Sequence, residues 1–124
     1  MTFLDDHDVR NIVVVVTDFH LAANIRYEKD FNGDGDTLVF YEFVNGPLSA
    51  SPGGAPTQGF LDPTLKPTLL YPLGGAYPDG IRFNFGYVRI QEDPADGLVH
   101  LVYDVRRAFD GQQRPGSLVN LIPQ

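Results

Sequence analysis

A mixed α/β chain, built mostly from β-strands and long loops with little helix, is predicted by three features of this sequence. The run Ile12-Val13-Val14-Val15-Val16 is β-branched throughout and has no polar alternation. That is the pattern of a strand buried on both faces within a layered sheet. Thirteen Gly and ten Pro in 124 residues exceed the ~12% of ordinary proteins and leave little room for long helices. Toward the C-terminal end, three apolar segments separated by turn residues read as a meander of strands. A chain of this length holds one small domain.

Taken in order, Phe3 to Arg10 reads as the last turns of a helix feeding the valine strand, so the chain is expected to open in mid-fold. Leu21 to Tyr27 reads as a short helical turn or an irregular segment, and Asp30 to Asp36 as a polar, turn-rich loop. Leu38 to Val44 is a second strand, aromatic and β-branched, ended by Asn45-Gly46-Pro47. Gly46 to Gly80 holds most of the Pro and Gly and shows no sustained periodicity. A stretch of that length is usually functional or draped over a larger body. The closing strands are expected over Ile81 to Ile90, Leu98 to Val105 and Leu118 to Ile122, separated by the turns Asp93 to Gly97 and Asp110-Gly111. Three regions result: 1–48 with the valine strand, 49–80 as a Pro/Gly-rich loop layer, and 81–122 as closing strands.

Composition excludes several function classes. Nine basic residues against sixteen acidic ones give a net charge of −7. Such a balance argues against a nucleic-acid-binding surface and a polybasic membrane patch. Without Cys, disulfides, zinc–thiolate sites and thiol nucleophiles are ruled out. The longest apolar run falls far short of the ~20 residues of a membrane-spanning helix, and no signal-peptide pattern is visible. Ser49 and Ser51 lack a G-x-S-x-G context, and no phosphate-cradling glycine loop occurs.

Two groups of residues carry candidate chemistry. Thr17-Asp18-Phe19-His20 follows directly on the valine strand, and ligands of open α/β sheets sit at the carboxyl ends of strands. Asp18 and His20, two apart on an extended segment, can address one ion, and a carboxylate with an imidazole suits Fe, Mn or Zn. The plainer reading makes Asp18 the cap of a short helix and His20 a half-buried side chain. The second group is Asp30, Asn32, Asp34 and Asp36, which resembles the opening of a calcium loop. Its twelfth position holds Tyr41 instead of a bidentate Glu, Glu42 comes one step late, and a strand follows at once. It is therefore no EF-hand, and a solvated Asx-rich turn is the better explanation. His100 is expected to face solvent from a strand, His7 to sit at a helix end, and Arg106-Arg107 to be a solvated strand end.

The order Asn11-Ile-Val-Val-Val-Val-Thr17-Asp18-Phe19-His20-Leu-Ala-Ala-Asn24-Ile-Arg26-Tyr27 resembles the last metal-binding strand of the PhoD-like alkaline phosphatases, phosphodiesterase-type metallophosphatases in which it usually reads N-V-V-x-L-T-G/A-D-V-H. Phe40-Tyr-Glu42-Phe43-Val44-Asn45-Gly46-Pro47-Leu48 is similar to that family's W-E-F-V-S-G-P-L block, and Leu61-Asp62-Pro63-Thr64-Leu65 to its L-D-P-T-F. Phe83 to Ile90, Leu98 to Asp104 and Asp110-Gly111 match its closing strands. The resemblance implies the C-terminal segment of a four-layer α/β metallophosphatase sandwich, from a family whose members are often exported. It also implies two metal ions, iron and calcium, and hydrolysis of phosphate mono- or diesters. His20 corresponds to the ligand His of the D-x-H element, and Asp18 is carried over as the second candidate ligand. Phe19 replaces the usual Val, and the small residue before the Asp is missing, so Thr17 adjoins Asp18. The family's earlier Asp, Asn and His ligands have no counterpart here. The segment is accordingly expected to need the N-terminal part of the same enzyme and to be inactive alone. The alternative from another class is a non-catalytic, β-rich binding module with structural calcium at Asp30 to Asp36.

Overall fold

The computed structural model describes residues 1–49, 51, 53–74 and 83–124. It contains one helical turn, α1 (Thr2–Asp6), and seven strands: β1 (Ile12–Val16), β2 (Ala22–Lys29), β3 (Leu38–Val44), β4 (Pro67–Leu73), β5 (Asn84–Glu92), β6 (Val99–Arg107) and β7 (Val119–Leu121). The first four form one sheet in the order β1-β3-β2-β4, and the last three form a second, β5-β6-β7. The protein is thus β-rich with little helix, as its turn-forming composition requires.

β1 pairs parallel with β3 in the register Ile12↔Phe40 to Val16↔Val44, whereas β2 is antiparallel to both β3 and β4. Alternation divides the first sheet's side chains between two faces. Ala23, Ile25, Tyr27, Leu38, Phe40 and Val44 form one core, covered by Leu4 of α1 and by Leu61 and Leu65. Ala22 and Phe43 point the other way, to Tyr103 and Val105 of the second sheet. The Phe43 and Tyr103 rings stack between the sheets with centroids 3.8 Å apart.

Several expectations from the sequence are corrected. Leu21 to Tyr27 is neither helical nor irregular: Ala22–Lys29 is an inner strand, with Ala22 to Ile25 buried on both faces. The valine run, expected to hold that central place, is an edge strand in which Val14 is 39% and Val15 58% exposed. The physical reason is its pairing, which is with β3 on one side only among the described residues. The loop layer 49–80 also contains regular structure. 3₁₀ turns occupy Gln58–Phe60 and Pro63–Leu65, the second capped by Asp62 accepting from the Thr64 N–H at 2.9 Å, and β4 follows. The helix expected before β1 lasts one turn, because Asp8 and Asn11 take φ values of 53° and 59°. The start of the strand expected from Ile81 lies outside the described residues; its described part begins at Asn84. Among the described residues, no helix is long and apolar enough to cross a membrane.

Candidate functional site

Because β1 and β3 are parallel and in register, the segments leaving them emerge together at one end of the sheet. Thr17 to His20 and Asn45 to Ser49, with Asn84 to Gly86 of β5, line a cavity of about 380 Å3. This is the strand-end position at which open α/β sheets hold ligands.

Backbone contacts shape the cavity. Asn45 N–H donates to the Val16 carbonyl at 2.9 Å, continuing the β1–β3 pairing by one residue. Asp18 lies at φ 72°, a left-handed conformation that Asp tolerates better than most residues. Gly46 is fixed by crowding: at φ 156°, a Cβ there would lie 2.8 Å from the Phe19 carbonyl oxygen. The His20 carbonyl accepts from Gly53 N–H at 2.5 Å, tying the candidate ligand's backbone to the following loop. Both candidate ligands therefore line one cavity.

On the far side, Asn45 Oδ1 accepts from the Tyr103 hydroxyl, and its Nδ2 donates to the Phe43 carbonyl at 3.0 Å. Burial pushes the Tyr103 hydroxyl's pKa well up, aided by the neighbouring Asp104 and Tyr71, so it stays a neutral donor. Gly86 is required here, since a Cβ would meet Asn45 Oδ1 at 1.9 Å. Asn84 is wholly buried; its N–H donates to the Pro47 carbonyl at 2.9 Å, and its Oδ1 accepts from Arg114 Nε at 2.7 Å. No family model, curated protein or solved structure matches this chain.

The cavity's chemistry is therefore that of its own side chains: one carboxylate, one imidazole, two amides and the hydroxyls of Thr17 and Ser49. As a metal centre this set is incomplete. Among the described residues, no three His, Asp or Glu converge as ion ligands, while even a structural zinc site takes four donors. The residues present do not fit a two-metal site by themselves.

The acidic loop lies at the other end of the sheet, between β2 and β3. Asp30 accepts from Gly33 N–H at 2.5 Å and Gly35 N–H at 3.0 Å. These two backbone bonds, that of Gly33 first, hold its carboxyl below the usual range. Asn32 caps Asp34 N–H, Asp34 caps Asp36 N–H, and Asp36 caps Thr37 N–H while pairing with Arg10. The loop's oxygens thus serve its own backbone in a chain of Asx turns.

A second cavity, of about 520 Å3, opens between the sheets beside Val13, Tyr41 and Leu121. Its one cation, Arg26, is already bound to Glu28 at 2.5 Å. His100 does not face solvent as expected. It is 4% exposed, with Nε2 2.9 Å from Asp96 Oδ2 and Nδ1 3.0 Å from Asn120 Oδ1. Asn45, Gly86 and Asn84 escaped sequence reasoning. The first looked like a turn residue, and nothing local marks the other two.

Proposed function

We propose that this chain is the C-terminal segment of a PhoD-like metal-dependent phosphatase or phosphodiesterase acting on phosphate mono- or diesters. His20 and Asp18 are its contribution to a centre of two metal ions, iron and calcium. The supporting observation is that both residues leave the carboxyl end of a parallel strand and line one cavity. When bound, such ions clamp a phosphoryl group and lower the pKa of water. The chain's own part is to present an imidazole and a carboxylate on a loop held by Gly46 and Gly53.

The remaining donors come from the N-terminal part of the same enzyme, so the isolated segment is inactive. Two features support that partner. β1 has one side without a paired strand among the described residues, and parallel strands are normally covered and flanked. Val88 and Ile90, on the same face of the second sheet as Tyr103 by register, are 44% and 71% exposed.

Metal content tests this reading. The segment joined to its upstream part is expected to copurify with metal, and His20→Ala to lower the metal-to-protein ratio. Full occupancy in that variant would remove His20 from the site. Metal loss on changing Asp30, Asn32 or Asp34, with indifference to His20, would favour the calcium-module alternative.

A further inference from the structure

Asn84 is wholly buried and lines the strand-end cavity, yet among the described residues its amide nitrogen has no hydrogen-bond acceptor. Its orientation is not free to reverse. Arg114 Nε, which can only donate, lies 2.7 Å from the amide oxygen and assigns Oδ1 to that side. Nδ2 is therefore left as a donor. Buried polar groups in folded proteins are nearly always paired, so an orphan amide beside a cavity requires an explanation. Turning the side chain away would take this acceptor from Arg114 Nε, on a residue only 5% exposed. Withdrawal of electron density from Oδ1 by Arg114 also makes the N–H groups better donors. The backbone fixes the residue as well, through Asn84 N–H to the Pro47 carbonyl and Ala108 N–H to the Phe83 carbonyl, both at 2.9 Å.

We propose that Asn84 is an oxyanion-binding residue, its Nδ2 donating to a phosphate oxygen held in the cavity that Asp18 and His20 also line. The phosphate identity of the anion rests on the hydrolase reading; the unsatisfied donor does not. Asn84 takes no proton and forms no bond in this role. It positions the anion, and Arg114 behind it positions Asn84.

The experiment is a titration of the 124-residue chain with inorganic phosphate, free of added metal, followed through the side-chain amide resonances in a 1H–15N spectrum. The Asn84 amide is expected to shift saturably. Asn84→Asp keeps the size and the acceptor for Arg114 but replaces the donor, and is expected to weaken phosphate binding roughly tenfold or more. Melting and backbone spectra show whether that variant stays folded. Should it unfold, Asn84→Ser, which is smaller and retains a hydroxyl donor, is expected to bind more weakly than the wild type. An Asn84 amide that does not move at saturating phosphate, or equal affinity in the folded Asn84→Asp chain, would overturn the proposal. The hydrolase reading fails separately. Asn84-dependent phosphate binding in a completed enzyme without turnover would sink that reading alone. His20-dependent turnover with phosphate binding indifferent to Asn84 would sink only the present inference.

Discussion

His100 shows how a single side chain can be misjudged from alternation. It lies on the face of β6 turned away from the first sheet, so exposure was a reasonable expectation, but the turn Asp93 to Gly97 folds over it. Asp96 and Asp93 face it from that turn, Asn120 from β7, and Gln91 is its register partner on β5. Burial works to lower the His100 pKa; hydrogen bonds to Asp96 and Asn120, with the charges of Asp96 and Asp93, outweigh it and leave it raised. A histidine raised in the folded state stabilises fully below its unfolded pKa, and that contribution disappears as pH rises through the folded value. Wild-type melting temperature is therefore expected to fall relative to His100→Gln as pH is raised from about 6.5. Parallel pH profiles for the two proteins would contradict this. At the same scale, Asp18 and His20 were legible because a D-x-H pair at a strand end is a local pattern. Asn84 was not, because its significance depends on Arg114, thirty residues away.

Among the elements, β1 and β3 were legible from their β-branched and aromatic runs, and β5 and β6 from apolar segments bounded by turns. β2 was not. Its Leu-Ala-Ala opening favours helix, and small residues on both faces hide the alternation, so pairing with β3 and β4 decides its conformation over local propensity. The contact between β5 and the end of β3 yields a sharp test. Gly86→Ala drives a Cβ into Asn45 Oδ1 and to within 2.9 Å of the Tyr103 ring. Loss of about 1–3 kcal/mol in chemical denaturation is expected from such overpacking, whereas an unchanged midpoint would show that the sheets separate there at little cost. The free side of β1 gives a second. Its exposed valines are an edge of the kind that promotes association. Wild-type chain is expected to self-associate in sedimentation, and Val15→Lys to reduce this while leaving the melting temperature nearly unchanged. Identical sedimentation of the two chains would place the sticky surface elsewhere.

For the whole molecule, the β-rich class was legible from Gly and Pro content, while the division into two sheets was not, because Phe43 and Tyr103 meet across sixty residues of chain. The placing of Asp18 and His20 beside Asn45 depends on a different pairing, the parallel register of β1 with β3. Asp18 and His20 are proposed to belong to a hydrolytic metal site completed by upstream polypeptide. Turnover of an aryl phosphate mono- or diester, with and without chelator, tests it most directly. The chain alone, the chain joined to its upstream part, and the joined form carrying His20→Ala are the proteins to compare. No metal-stimulated turnover is expected from the chain alone, chelator-sensitive turnover from the joined form, and its loss in the His20→Ala variant. Robust chelator-sensitive turnover by the 124 residues alone, or a folded, metal-loaded joined form without turnover, would contradict the account.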